Sequence, residues 1–565
     1  MIQSDSTQPD VKYTLIGTAG GDDPDTGDIY RGLDRFGRIK DSDWYNYGTS
    51  ADADRIKYGY DRSGSRIWRE NTVARSQGKY FDEKYLYDQI HRLKDMSRGE
   101  LGSGGSTLSN KQFAQCWGLD ETGNWSNFRE DSTGAGSWTL NQSRTSNTVN
   151  EITDITETVG ASWVTPVYSR AGNMTTMPQP ASPASSYTAT YDAWNRLVKI
   201  ADGGNTVSEY QYDGAKRRVV QKSYVSGTLN ETRHLYYTEP SKWQVLEERV
   251  GTSTSANRHF VWGLRYIDDL ILRDRDTDGN GTLDERLCSL QDANWNVTGL
   301  VNTFGVMQQR FNYDAYGTPE FLTSSFGSST NTKDFEVLYA GYRFEDTTTL
   351  FQVRNRVLNV ALGIWVQRDL IGYGDGMNLF QYSTSTPLSH SDANGLFGML
   401  TTDPAIMDGV LIIGNDIFGR IGNSASWCAN QSCSTCANAV GAIVLHTIAD
   451  LDLDGGDDRM GGNAMRHCLA TCRTVKTCGL ECAKYFWDGR EDGTGPGTRQ
   501  DLMNNRVGYR LGQTGNCCMC DCFSAWDSGE FTCQDPVTKE NVPCPSYRRN
   551  KNQSPPRREG YNHGD

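Results

Sequence analysis

One twelve-residue segment has the residue types and spacing of a calcium-binding loop. The segment DRDTDGNGTLDE runs from Asp274 to Glu285 and fits the template D-x-D-x-D-G-x5-E. The expected ligands are the carboxylates of Asp274, Asp276, Asp278 and Glu285, the main-chain carbonyl of Asn280, and Thr282 or a water. Hard oxygen ligands at this spacing suit Ca²⁺. The flanks alternate like strands, so no paired-helix site is expected, and an acidic, solvated hairpin tip is the alternative.

A second group of polar side chains near the C-terminus could support hydrolysis. Its members are Arg466, His467, Asp488, Glu491, Asp501, Asn504 and Asn505. His467 and a carboxylate could form a general base and its orienting partner, with water as the nucleophile. The alternative is structural, because a neutral histidine is also a common helix residue and Asp501 can cap a helix start.

Cysteine usage divides the chain. Of the 15 cysteines, only Cys116 and Cys288 precede residue 400, and the other 13 lie between Cys428 and Cys544. Such density favours disulfides in an oxidising compartment, or metal binding in a reducing one. Two C-x3-C pairs at 468–482 suit the stapling of a helical hairpin better than zinc, while zinc remains open at CCMCDC, residues 517–522.

Composition and charge narrow the class of protein. The formal net charge is −14, which argues against nucleic-acid binding over the whole surface, since such binding depends on lysine and arginine. No apolar run approaches the roughly 20 residues that span a bilayer. The N-terminus lacks the basic and apolar segments of a standard secretory signal. The protein is therefore expected either to stay inside the cell or to leave by another route.

A repeated motif supplies the elements that would position these groups. The pattern Y-D-x-x-G/N recurs in eight segments, which start at Leu33, Tyr60, Tyr87, Leu119, Tyr168, Tyr191, Tyr212 and Tyr313. Segments of alternating polarity lie between them, as in strands, while aspartate and glycine favour turns. Each unit is therefore predicted to be a β-hairpin, and stacked hairpins form a continuous sheet. Tyrosine-rich hairpins scattered over an ordinary β-sandwich are the alternative.

These repeats resemble the YD repeats of bacterial Rhs proteins. The segment YAGYRFEDTTTLFQVRNRVLNVALGIWVQRDLIGYGDGMNLFQYSTSTPLSHSDANGL, which starts at Tyr339, is similar to the Rhs repeat-associated core. The resemblance implies a mainly β chain, with a spiralling shell of hairpins at 1–337, partial or short, and a core at 338–396. A small α-rich, cysteine-rich variable tip would follow at 397–565, and the family implies that it is a toxin.

The resemblance also implies self-cleavage just after the core. Carried over to this chain, the two aspartates of the family fall on Asp369 and Asp392, and the scissile bond on Leu396–Phe397. Two carboxylates held close together cannot both ionise easily, so one can act as an acid while the other activates water, and Arg368 could hold the charged partner. Proline follows both aspartates in the family but neither one here, so turn residues without chemistry are the alternative.

Two functions are compatible with these observations. The first is an Rhs-type secreted or contact-dependent effector that encloses and releases its tip, with an immunity protein and a delivery apparatus as partners and a cell surface, lipid or glycan as target. The second is a cell-surface adhesion protein whose aromatic repeats contact glycans and whose cysteine-rich module is not catalytic. Both place the protein outside the cell or on its surface.

Overall fold

The computed structural model describes residues 11–14, 32–34, 36–238, 243–396, 399–400, 532–534 and 541–543. The chain divides into two compact units, Met1–Asp408 and Gly409–Asp565. Within the second unit the described residues form an antiparallel pair, Thr532–Gln534 with Asn541–Pro543. Both C-x3-C pairs, CCMCDC and the polar group around His467 lie outside the described residues.

The described part of the first unit is mainly β and antiparallel, as the sequence predicts. Its first sheet has ten strands in chain order. They are β1 Val11–Thr14, β2 Asp41–Asn46, β3 Ala51–Tyr60, β4 Arg66–Asn71, β5 Asp82–Tyr87, β6 Leu93–Leu101, β7 Leu108–Leu119, β8 Trp125–Asp131, β9 Leu140–Ser146 and β10 Ile152–Val159. One short helix, α1 Thr72–Ser76, interrupts the series, with Asn71 accepting a capping hydrogen bond from the Ala74 N–H.

A second sheet of fourteen strands follows the same order. It contains β11 Val167–Tyr168, β12 Met174–Gln179, β13 Ser182–Tyr191, β14 Leu197–Asp202, β15 Asn205–Tyr212, β16 Arg218–Val225, β17 Thr228–Tyr237, β18 Val245–Val250, β19 Arg258–Trp262, β20 Leu270–Arg275, β21 Glu285–Gln291, β22 Val297–Val301, β23 Met307–Tyr313 and β24 Pro319–Leu322. Each strand pairs with its neighbour in sequence, so both sheets are built from successive hairpins.

The segment that resembles the Rhs core forms a smaller sheet. Its strands are β25 Arg343–Glu345, β26 Leu350–Val353, β27 Arg356–Asn359 and β28 Ile364–Trp365. A further pair joins β29 His390–Ser391 to β30 Met399–Leu400. The chain therefore turns back on itself across the predicted cleavage point.

The Tyr-Asp motif forms the turns that its residue types predict. In the turn at Asp192, one carboxylate oxygen accepts the N–H groups of Trp194 and Arg196 at 2.9 and 3.0 Å, and the other accepts Arg196 Nε at 2.7 Å. Asn195, at the G/N position of the motif, has φ +60°. Glycine and asparagine tolerate this left-handed conformation best, which explains their place in the motif.

In five of the eight segments, the tyrosine of the motif ties its repeat to the one before it. Tyr191 Oη donates to the Met174 carbonyl at 2.8 Å, and Tyr212 Oη donates to the Leu197 carbonyl at 2.6 Å. The hydroxyls of Tyr60, Tyr87 and Tyr313 make the equivalent bond, and so does that of Tyr237, which lies outside the eight segments. Arginine adds a link in the opposite direction, because Arg196 Nη1 donates to the carbonyl of Asp213 in the next repeat at 3.2 Å.

The two large sheets pack against each other. Trp44 Nε1 of β2 donates to the Gln291 carbonyl of β21 at 2.7 Å, and Arg310 of β23 pairs with Asp54 of β3 at 3.3 Å. A hydrophobic cluster joins side chains of both sheets to the core segment, including the buried rings of Trp117, Phe311, Phe351 and Trp365. The core segment is therefore fixed to both sheets, and this fixes the position of the site described next.

Candidate functional site

The tight turn between β26 and β27 holds the end of the core segment. Arg354 donates to the Ala393 carbonyl, Asn355 Nδ2 donates to the Asn394 carbonyl at 3.0 Å, and Arg356 Nε donates to the Gly395 carbonyl at 2.6 Å. Three consecutive residues of the turn thus bind three consecutive carbonyl groups just before the predicted scissile bond. Arg354 is itself oriented by Asp268, at 2.9 Å.

Close backbone contact explains the glycine at position 395. Its φ is +63°, and a Cβ there would lie 2.6 Å from the Val353 carbonyl oxygen and 3.1 Å from the Arg356 nitrogen. These neighbours are backbone atoms of the hairpin, so they cannot move aside as a flexible side chain can. Only glycine fits this conformation and this space together.

Asp369 and Asp392 share one arginine. Arg356 Nη2 lies 2.9 Å from Asp369 Oδ2 and 2.9 Å from Asp392 Oδ2. All three side chains are buried, with exposed fractions of 2% for Arg356, 8% for Asp369 and 1% for Asp392. The structure therefore brings together the two aspartates that the sequence singled out, with a cation between them.

The two carboxyls have different surroundings. Burial raises the pKa of Asp369 to about 6, the positive charge of Arg356 opposes this rise, and the negative charge of Asp392 adds to it. Asp392 Oδ1 accepts the Leu396 N–H at 2.9 Å, and the Asp392 N–H donates to Tyr342 Oη at 2.7 Å. Asp392 thus contacts the residue whose carbonyl belongs to the predicted scissile bond, while Asp369 can keep a proton under mildly acidic conditions.

Arg368 has another partner. Its Nη2 donates to Glu151 Oε1 at 2.6 Å, just before β10, and its side chain lies next to Gly172 in the turn between β11 and β12. Consecutive side chains leave the backbone in different directions, so Arg368 and Asp369 are directed to different places. Arg356, which the sequence analysis did not single out, is the arginine that pairs with both aspartates. The signal available was the VRNRV segment, where two arginines flank an asparagine.

The four carboxylates expected to bind calcium have partners within the protein. Asp274 is paired with Arg286 at 2.7 Å, and Glu285 is paired with Arg275 at 2.9 Å. Asp276 accepts the N–H groups of Gly279 and Gly281, both at 2.8 Å. Asp278 and Asn280 bond to each other at 3.0 Å, and Thr282 donates its main-chain N–H to Asn280.

No three histidine, cysteine or acidic side chains among the described residues are placed to hold a metal ion. Calcium binding at 274–285 would require the carboxylates of Asp274 and Glu285 to leave their arginine partners, and it stays a prediction. Zinc at the C-terminal cysteines lies outside the described residues. Within that described part, no helix combines the length and apolar character needed to cross a membrane.

Comparisons with known proteins agree with the repeats. The RHS Repeat family model matches residues 191–229. The tRNA3(Ser)-specific nuclease WapA of Bacillus spizizenii is 24% identical over 234 residues, which are 40% of this chain and 9% of that protein. The tRNA nuclease WapA of Bacillus subtilis strain 168 is 23% identical with the same coverage. The matched region is thus under a tenth of the length of these curated relatives.

Two solved structures that resemble part of this chain are toxin complexes. The Tc holotoxin pore of Photorhabdus luminescens has a TM-score of 0.49 and 15% identity, covering 65% of this chain and 18% of that one. The TcdB2-TccC3 complex also has a TM-score of 0.49, with 16% identity, covering 68% of this chain and 18% of that one. By the matched repeat and the eight Tyr-Asp segments of its sequence, this chain is an Rhs-type, YD-repeat protein.

Proposed function

We propose that the protein is an Rhs-type effector that cuts its own chain after Leu396 and so releases residues 397–565. In this proposal the two sheets belong to a spiralling shell, partial in this chain, and the effector is secreted or acts at a contacted cell surface. The observation that carries it is the buried pair Asp369 and Asp392 on Arg356, in hydrogen-bond contact with Leu396.

The proposed reaction is hydrolysis of the Leu396–Phe397 peptide bond. Asp392, ionised and held by Arg356, accepts a proton from water as the oxygen attacks the Leu396 carbonyl carbon. Asp369, protonated, supplies a proton to the leaving nitrogen of Phe397 as the carbon–nitrogen bond breaks. One water is consumed, and the products are a carboxylate on Leu396 and an amino group on Phe397. Neither metal nor cofactor takes part in this scheme.

The hairpin turn holds the reacting segment in place. The donors from Arg354, Asn355 and Arg356 fix three carbonyl groups, which limits rotation of the chain next to the attacked bond. Such positioning lowers the entropic part of the barrier. It also suggests that residues 393–396 stay bound to the hairpin after the cut.

The test is expression of the full chain, followed by intact mass measurement and sequencing of the new N-terminus. We expect a fragment that starts at Phe397, and a loss of cleavage of about 100-fold or more in Asp369→Asn and Asp392→Asn. Arg356→Lys keeps the positive charge but replaces the planar guanidinium, which holds both carboxylates, with a single ammonium group. We therefore expect cleavage at an intermediate rate. Asp192→Asn, a turn aspartate outside the site, is the control and should cleave normally.

The pH dependence follows from the acid role of Asp369. The reaction needs protonated Asp369, whose pKa is about 6, so the rate should fall about tenfold per pH unit above pH 6. A rate that instead rises from pH 6 to pH 8 would reverse the assignment of acid and base. A full-length product at every pH, unchanged in Asp392→Asn, would favour the adhesion protein.

The released segment would carry the activity against a target cell. We propose a hydrolytic role for His467 with Arg466, Asp488, Glu491, Asp501, Asn504 and Asn505, and an immunity protein that protects the producing cell. The curated relatives are named as tRNA nucleases, so tRNA is the first substrate to assay, beside lipid and glycan. Activity that survives His467→Ala would assign this histidine to structure.

A further inference from the structure

A cavity lies between the first sheet and the last strands of the second. Its volume is about 1020 Å³, and aromatic rings form much of its wall, among them Trp117, Trp125, Phe128, Trp163 and Tyr316. Carboxyl and amide groups share that wall, namely Glu130, Asp314, Glu320, Gln112 and Gln115. The mixture of ring faces and acids is unlike a purely apolar core.

One of these acids belongs to a Tyr-Asp turn that lacks the arginine present in four of the eight segments. In the turns at Asp34, Asp88, Asp192 and Asp213, an arginine four residues later pairs with the carboxylate. At Asp314 this position is Thr318, whose main-chain N–H donates at 2.8 Å and whose side chain has no charge. The carboxylate of Asp314 therefore accepts the backbone hydrogen bonds of the turn but has no arginine partner in it.

A second acid lies close to the first. Gln115 Nε2 donates to Glu130 Oε2 at 3.0 Å and to Asp314 Oδ2 at 3.2 Å. Burial raises the pKa of both carboxyls, and the charge of Asp314 adds to the rise at Glu130. Among the described residues no arginine, lysine or histidine pairs with either acid, so the two carboxylates lack a compensating cation.

The wall also holds the cations Arg98 and Lys79, neither of which forms an ion pair with Glu130 or Asp314, and the amide of Gln115. Arg98, also in the cavity wall, is paired with Glu83 at 2.8 Å and with Glu320 at 3.0 Å. Gln115 is 4% exposed, and its Oε1 has no hydrogen-bond partner in the described structure. The wall thus holds two carboxylates and a buried carbonyl oxygen, all of which accept hydrogen bonds and lack a positively charged donor.

The ring faces add to the attraction for a cation. The guanidinium of Arg144 lies 4.6 Å from the ring centre of Trp125 and 5.5 Å from that of Phe128. These rings therefore already accept a cation in this fold, as expected for the negative face of an aromatic ring. A second cation inside the cavity would meet both ring faces and carboxylates.

We propose that this cavity binds an organic cation, a primary ammonium or guanidinium group held by Glu130 and Asp314 against the aromatic wall. The buried carbonyl of Gln115 belongs to the same wall and has no hydrogen-bond partner among the described residues. The ligand is either a free amine of the polyamine type or the side chain of a lysine or arginine in a peptide. Both sources have the same chemistry and differ in size.

The test uses the purified full chain and agmatine, which carries one guanidinium and one ammonium group. Binding is measured by calorimetry at neutral pH and by the fluorescence of the tryptophans in the wall. We expect saturable binding that is about tenfold or more weaker in Glu130→Gln and in Asp314→Asn, while Asp192→Asn binds as the parent does. Circular dichroism confirms that each variant is folded, and Glu130→Gln changes no turn.

The outcomes separate the possible ligands. The site is assigned to a peptide side chain if a lysine-containing pentapeptide competes with agmatine and the same peptide with norleucine in place of lysine does not. Competition by spermidine but not by the peptide assigns it to a free amine, and both results support the proposal. No saturable binding of agmatine at millimolar concentration, equal affinity in all variants, or tighter binding of neutral maltose would overturn it.

Discussion

Asp369 is an acid whose ionisation the folded protein opposes. Only 8% of its surface is exposed, so the carboxylate loses most of its hydration, and Asp392 places a second negative charge nearby. Arg356 compensates only in part, because one guanidinium nitrogen serves both acids. The pKa of about 6 is the result, and it connects the proposed chemistry to stability.

We expect Asp369 to make the folded state less stable as the pH rises from about 4 to about 6. Its pKa is raised by folding, so the folded state binds the proton more tightly, and the stabilisation present below pH 4 is lost as the pH passes the folded pKa. The shift corresponds to at most about 3 kcal/mol. Asp369→Asn should remove this slope in urea unfolding, with the integrity of the chain checked by mass spectrometry.

Asp192 is the matched control for that titration. Hydrogen bonds from Arg196 and from two backbone N–H groups lower its pKa against the opposing effect of burial. Its contribution therefore has the opposite sign, since it is present at neutral pH and is lost as the pH falls through the lowered pKa. An unchanged slope between pH 4 and pH 6 in Asp369→Asn would mean that the carboxyl is ionised throughout.

At this scale the sequence predicts the acids better than their partner. Asp369 and Asp392 are identified because the core segment resembles the Rhs repeat-associated core, which has an aspartate at each of these positions. Arg356 depends on the register of the β26–β27 hairpin, and that register is set by packing that no local pattern states. For the same reason the calcium template matched a loop whose carboxylates fall opposite arginines of paired strands, such as Arg286 opposite Asp274.

Among the elements, the hairpins are held to each other by side chains as well as by strand pairing. Tyrosine donates backward to a carbonyl of the preceding repeat, and arginine donates forward to the carbonyl of the next aspartate. Each link spans about one repeat, so a defect in one turn should affect its neighbours. The sequence predicts the turn residues from local chemistry, but the acceptor of each tyrosine hydroxyl lies in another hairpin and could not be read from the motif.

We expect Tyr191→Phe to lower the free energy of unfolding by about 1–2 kcal/mol. The ring still packs, but the Met174 carbonyl loses its donor at 2.8 Å and is left in a partly buried place. Hydrogen exchange should show faster opening of β12 and β13 than of the first sheet. Tyr236→Phe is the control, because Tyr236 is 44% exposed, and a change of similar size there would argue against the backward link.

The whole first unit depends on contacts between residues far apart in sequence. Buried polar side chains of the first sheet pair with the last strands of the second, as Arg69 does with Asn312 at 3.2 Å. The sequence indicates hairpins and their order but does not indicate which sheet faces pack together. Since such contacts form only after long loops close, the sheets are expected to fold slowly and to lose structure together.

Arg310 is the clearest test of this mutual dependence. It donates to Asp54 Oδ1 at 3.3 Å, to the Ala53 carbonyl at 2.9 Å and to the Ser324 carbonyl at 2.9 Å. Arg310→Met keeps the approximate length but leaves Asp54, which is 2% exposed, without its cation. We expect a loss of about 3–5 kcal/mol, with hydrogen exchange accelerated equally in both sheets.

The matched control for Arg310→Met is Arg249→Met. Arg249 pairs with Glu247 within the same strand, β18, so its loss removes a link that does not join the sheets. If hydrogen exchange in Arg310→Met is faster in the second sheet alone, the two sheets open independently. The first sheet would then tolerate the buried Asp54 without its cation. Equal acceleration in both would mean that the Asp54–Arg310 pair holds the two faces together, and that the core segment carrying Arg356 depends on both.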